Sequence, residues 1–146
     1  MAEIKTSFKG VEKLPKLAAR IQAIKRFREL VKPIVEEWQD ETLPIAQKYP
    51  PPPPGSKYVR TFKLQRSWHK SPIGGGVAQV RASVYSDGTA DAGYGDYAPY
   101  VMGRYKQASI HQGRWKTDQM IADETKTGVT RKIRVAAKRA LENIVP

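Results

Sequence analysis

The sequence predicts an α+β domain, with a kinked N-terminal amphipathic helix and a C-terminal helix packed on a small antiparallel sheet containing a β-hairpin. Three observations carry this. Apolar residues step by three and four near both ends of the chain. They alternate with period two in the middle, and an Asp-Gly pair follows that alternation closely. At 146 residues the chain fits a single domain. A domain of this size buries roughly 70% of its unfolded surface. It divides into a helical region 1–49, a proline-rich corner 50–57, a sheet and loop region 58–115 and a C-terminal helix 116–146.

The first helix follows a short lead. Leu14, Leu17, Ile21, Ile24, Val31, Val35 and Trp38 form one stripe, with Lys16, Arg20, Arg28 and Glu36 falling between them. Pro33 lacks an amide proton and its ring clashes with the preceding turn, so a kink or a fresh helix start is expected there. The helical region ends near Lys48, because Pro50 and its successors cannot continue it. Pro50 to Pro54 favour polyproline II at about 3.1 Å per residue, a reach of about 15 Å. The run reads as a rigid corner that positions the long helix against the sheet, in preference to a domain linker or an exposed docking ligand. Thr61 then caps a short turn carrying Leu64, with Trp68 four residues on.

Residues 77–95 give the sharpest local expectation. Ala78, Val80, Ala82 and Val84 alternate with Gln79, Arg81, Ser83 and Tyr85, as in a half-buried strand. Asp87-Gly88 marks a hairpin. A two-residue loop would pair Val84 with Asp91 and mix the two faces. A three-residue loop, Ser86-Asp87-Gly88, pairs Val84 with Ala90, Ala82 with Ala92 and Val80 with Tyr94, and is preferred. Gly74 to Gly76 read as a flexible turn into this hairpin. In the last helix Ile121, Val129, Ile133, Ala136, Ala140 and Ile144 form a stripe, with Arg131, Arg134 and Lys138 on another side. Gly128 costs about 1 kcal/mol there relative to alanine, which suggests a close packing contact.

Twenty-six Lys and Arg against fourteen Asp and Glu leave a net charge of +12. The excess is +3 over residues 1–49, +6 over 50–115 and +3 over 116–146, with no basic tail. Such a field favours anionic partners: nucleic acid, an anionic membrane or an acidic protein surface. With no cysteine, disulfides, thiolate metal sites and cysteine nucleophiles are excluded. The N-terminus lacks the apolar core of a signal peptide, and no apolar run approaches the roughly 20 residues of a membrane-spanning helix. A cytosolic protein is expected.

Enzymatic signals are weak. His69 and His111 are the only histidines, and no His-Glu-x-x-His pattern, phosphate-cradling loop or nucleophile elbow is present. Asp87, Asp91 and Asp96 miss the spacing of an EF-hand loop. No catalytic residue, metal site or cofactor is expected. Lys57, Arg60, Lys63, Arg66 and Lys70 interleave with Tyr58, Phe62 and Trp68, a mixture able to grip phosphates and stack bases. The same aromatics at this spacing also suit a core. No helix-turn-helix, zinc-finger or RNA-recognition signature accompanies them.

At Asp96-Tyr97-Ala98-Pro99-Tyr100-Val101, with Gly103 close behind, the chain resembles the Tyr-Ala-x-Tyr-Val-x-x-Gly signature of small phage tail components. These are the tail-completion, or head–tail joining, proteins of long-tailed siphophages and related prophages. The proline-bearing first helix, the segment Pro54 to Ser67 and a hairpin leading into the Tyr-Ala-Pro-Tyr stretch agree in order. Phe62 stands where the family usually has Gly after Thr61, and His111 to Thr117 replaces a short Arg-Pro-Phe motif. The resemblance implies a non-enzymatic subunit of the virion neck or tail terminus, assembled in the host cytoplasm. Its implied partners are copies of itself in a ring, and neck or tail proteins on the connector or portal side and the tail-tube side. Tyr97, Tyr100, Val101, Tyr105 and Trp115 are the expected oligomer interface, because aromatic residues in loops commonly build interface hot spots. Arg60, Lys63, Arg66, Lys70 and Arg81 are the expected contacts to DNA phosphates in the channel. The alternative is a small basic nucleic-acid-binding protein that acts through non-specific phosphate contacts.

Overall fold

The fold is seen in a computed structural model, and the structure describes residues 2–14, 16–52, 54–57, 63–87, 101–103, 107–142 and 144. It is α+β. A long N-terminal helix and a C-terminal helix pack against a three-stranded antiparallel sheet. Among the described residues no helix is long and apolar enough to cross a membrane.

The sheet has the order β1-β3-β2, built from β1 (Ala2–Ser7), β2 (Trp68–Lys70) and β3 (Gln79–Ser86). In β3 the period-two pattern works as expected: Val80, Ala82 and Val84 are buried, while Arg81 is exposed. The first strand is the element that the helical stripe hid. Ala2 and Ile4 alternate inward against Glu3 and Lys5, and they pair with Val84 and Ala82 of β3. β2 and β3 form a hairpin across residues 71–78, with Lys70 opposite Val84 and a bridge from Gly74 to Arg81. The return strand expected at Ala90, Ala92 and Tyr94 lies outside the described residues. The ladder position assigned to Ala90 is nevertheless taken, because Val84 has Ala2 on one edge and Lys70 on the other. The glycines at 74–76 form a tight turn and no slack tether. Gly74 exchanges two backbone bonds with Arg81, and Gly75 sits at φ +125°.

Helix α1 (Leu17–Gln47) is one helix of 31 residues, about 46 Å long, and it runs through both Pro33 and Pro44. No second helix starts at Pro33. Both prolines lie on the exposed face, where water can satisfy the carbonyls they leave free. The opposite face is what holds the helix down: Ala23, Phe27, Val31, Val35, Trp38, Thr42 and Ala46 are all buried. This stripe corrects the expected one at its start. Leu17 and Ile21 are 72% and 45% exposed, and Ala23 and Phe27 take the core positions instead. Phe27 stacks on Phe8 with ring centroids 4.6 Å apart, which anchors the end of β1 to the helix.

The proline run leaves α1 at Lys48 and is pinned to its own molecule. The Tyr49 ring meets Trp115 edge-on at 4.8 Å, and its hydroxyl accepts a hydrogen bond from the Gln65 backbone at 3.3 Å. Arg114 donates to the Pro51 carbonyl at 3.3 Å. A short helix α2 (Lys63–Arg66) follows, with Leu64 buried, and Trp68 enters the core at the head of β2.

Helix α3 (Asp118–Glu142) begins where Thr117 Oγ1 accepts from the Met120 amide at 3.2 Å, a side-chain N-cap. Ile121, Val129, Ala136 and Ala140 are buried along it, as the stripe predicts. Gly128 marks no close contact: a Cβ placed there would meet nothing within 4 Å. Two cross-links set the direction of the helix pair. Trp38 Nε1 donates to Thr125 Oγ1 at 3.0 Å, and Lys132 Nζ donates to Glu37 at 2.7 Å. Leu30 and Ile34 line a groove with Val135 and Arg139, whereas Trp38 meets Thr125, so the two helices run antiparallel.

Candidate assembly surface

The antiparallel packing brings together two stretches that lie far apart in the chain. Residues 16–32 carry six basic side chains and one acidic, Glu29. Residues 126–139 carry six basic side chains and no acidic one. The last turns of the second stretch, with Arg134, Lys138 and Arg139, lie toward the first half of α1, whereas Lys132 lies beside Glu37 in its second half; nearly all of these side chains are exposed. Carboxylates gather toward the other end. Glu36, Glu37, Asp40 and Glu41 on α1 have no basic residue among them, and Asp118, Asp123 and Glu124 open α3. The helix pair is therefore basic at one end, while at the other Asp40, Glu124 and Glu37 are matched by Lys70, Lys116 and Lys132. The Glu37 hydrogen bond, opposed by a smaller desolvation effect, leaves the Lys132 ammonium with a pKa above its usual value.

At the basic end the two helices part to leave a groove of about 410 Å³. Leu30, Ile34, Val135 and Ala136 form its apolar floor, and Arg131, Lys132 and Arg139 stand around it. Val135 is 44% exposed, unusual for a valine facing another helix. At the acidic end Met120 is 55% exposed on the first turn of α3. Asp123 and Glu124 lie three and four residues further on, hence on the same side. Gln119 donates to Asp123 at 2.8 Å, and Lys116 pairs with Glu124.

Two of the residues expected to build an oligomer interface, Val101 and Trp115, lie within the described residues. Tyr97, Tyr100 and Tyr105 lie outside the described residues. Val101 has no exposed surface, so it belongs to the core and offers nothing to a partner. Trp115 is half-buried between Tyr49 and His111, where it fixes the proline corner. Gln107 clamps the same region by donating to the carbonyls of Val101 and Trp115.

Of the expected phosphate contacts, Arg66, Lys70 and Arg81 have described side chains. Arg60 lies outside the described residues, and for Lys63 only its place at the start of α2 is described. Arg66 is exposed beside it. Lys70 pairs with Asp40 at 2.5 Å, and Arg81 lies 3.8 Å from Glu3, so both already face carboxylates within the chain. Trp68 is buried and cannot serve as a base-stacking platform. The denser basic surface is the one on α1 and α3.

The histidines are occupied separately. His69 contacts Asp87 at 2.9 Å and tilts onto Tyr85. His111 packs edge-on to Trp115, and burial, followed by the nearby Arg114 cation, holds its pKa below the usual value. Among the described residues no group of three or more His, Asp or Glu is placed to hold a metal ion.

No protein-family model, curated protein or solved structure matches this chain.

Proposed function

We propose that this chain is a non-enzymatic bacteriophage virion protein of the neck or tail terminus, a subunit that repeats head-to-tail into a ring. The observation that carries the reading is that the helix pair has a basic end, whereas the first turn of α3, with Asp118 and Asp123, lies away from it. Unlike surfaces of two subunits attract, and a head-to-tail contact uses one such pair per neighbour. Contacts of that kind close into rings when the rotation between neighbours permits. The resemblance of the segment around Tyr97–Gly103 to head–tail joining proteins points to where such a ring would work. Its remaining partners would then be neck or tail proteins on either side, and its location the virion.

A second reading is favoured by one specific observation. Basic residues crowd the first half of α1 and the last turns of α3, with Glu29 and Glu142 as the carboxylates among them, a surface suited to a polyanion. On that reading the protein binds nucleic acid through phosphate contacts, without sequence readout.

Negative-stain electron microscopy of the purified protein separates the two. Rings of one diameter with an open centre, formed without DNA, are the expected result. Monomer-sized particles that retain a DNA duplex at physiological salt would replace the first reading with the second.

A further inference from the structure

We infer that the groove at the basic end of the α1–α3 pair receives the acidic first turn of α3 from a second copy of this chain, with Met120 as the inserted side chain. The inference rests on the ring reading and supplies the contact that it lacks. The two surfaces complement each other in three ways. Ile34 and Val135 give the groove an apolar floor, and Met120 is an exposed, unbranched apolar side chain able to fill an irregular gap. Arg131 and Arg139 stand over that floor, and Asp123 and Glu124 flank the methionine at helical spacing. Gln119 orders Asp123 without neutralising it, whereas Glu124 is already matched by Lys116, so Asp123 is the carboxylate that a partner's arginine would meet.

A nucleic acid would use the basic rim but not the apolar floor, because phosphates and sugars gain nothing from Ile34 and Val135. A protein segment that is both apolar and acidic uses the whole groove, and the chain carries one at its opposite end. Since groove and knob are different surfaces, every copy would offer one of each.

The absence of cysteine makes this directly testable. Met120 and Val135 are fifteen residues apart on one helix, about 22 Å by helical rise. A disulfide needs Cα atoms within about 7 Å, so the pair cannot close within one chain. The double variant Met120→Cys with Val135→Cys, oxidised with glutathione disulfide at physiological salt, should give a ladder of covalent oligomers on a non-reducing gel. The ladder should end at the size of the ring. Each single variant should give no ladder, and adding Arg131→Glu to the double variant should remove it. Native mass spectrometry of the unmodified chain, run alongside, separates the possible failures. Non-covalent rings without a ladder would overturn the groove contact and leave the ring reading standing. A two-fold dimer cross-linked by Val135→Cys alone would also overturn the groove contact. A chain that stays monomeric throughout would overturn both, and if it retained duplex DNA it would assign the groove rim to phosphate.

Discussion

Replacing Gln39 by leucine tests how the long helix is held on the sheet. Gln39 is buried, and its amide donates to the carbonyl of Ser71 at 2.9 Å and to that of Ser83 at 3.0 Å. Those carbonyls belong to β3 and to the segment that follows β2, so a single side chain bridges both to α1. Leucine keeps nearly the same volume and removes both donors. Ser83 would keep the bond it accepts from the Ser71 amide at 2.9 Å, whereas Ser71 loses this donor. Each lost bond costs about 1 kcal/mol net, and a buried carbonyl left short of a donor adds to that, so the variant should lose about 2–3 kcal/mol. For a domain of this size that corresponds to a fall of roughly 4–10 °C in melting temperature. Thermal unfolding followed by circular dichroism is the assay, with Gln22→Leu on the exposed face of the same helix as the control. A Gln39→Leu protein that melts with the wild type, or above it, would refute the bolt.

Two glycine substitutions should move stability in opposite directions. Gly128→Ala adds a methyl group into open space within a helix and should stabilise by about 1 kcal/mol. Gly75→Ala would bring its Cβ within 2.2 Å of the Gln79 carbonyl oxygen at φ +125°, and should destabilise by roughly 2 kcal/mol or more. Urea midpoints measure both, and equal effects would contradict the placement of the two residues. His111 should contribute to acid sensitivity. Its folded pKa lies below the unfolded value of about 6.5, so the unfolded chain takes up the proton more readily. The contribution of the neutral ring is therefore complete above about pH 6.5 and is lost as pH falls through the folded value. His111→Gln should flatten the loss of stability between about pH 7 and pH 5, and an unchanged slope would count against this role.

Much of the fold was legible in the sequence because its signals are local. Val80, Ala82 and Val84 announced β3, the stripe from Ile121 to Ala140 announced α3, and the end of α1 at Lys48 followed from the prolines after it. What was missed depends on partners distant in the chain. The alternation of β1 spans only six residues, and pairing with β3 is what makes it a strand. Gln39 drew no notice in the sequence, since its acceptors lie 32 and 44 residues away. Pro33 was given too much weight, because burial of Phe27, Val31 and Val35 carries the helix through it.

The candidate surface was hidden for a different reason. The +3 of residues 1–49 averages a basic first half of α1 with an acidic second half. Only the antiparallel placement of α3 shows that its last basic turns lie toward the first half of α1, while Lys132 meets Glu37. The stretch from Lys57 to Lys70, which stood out in one dimension, spends Lys70 on Asp40 and Trp68 on the core.

The central claim is that copies of this chain associate through the basic end of one helix pair and the acidic first turn of α3 in the next. Sedimentation velocity without nucleic acid, at about 0.1 M and about 1 M salt, tests it most directly, since the screening length falls from about 10 Å to 3 Å between them. The account predicts one closed oligomer at the lower salt and its dissociation toward monomer at the higher. A monomer at both salts, or an oligomer that tightens as salt is added, would contradict it.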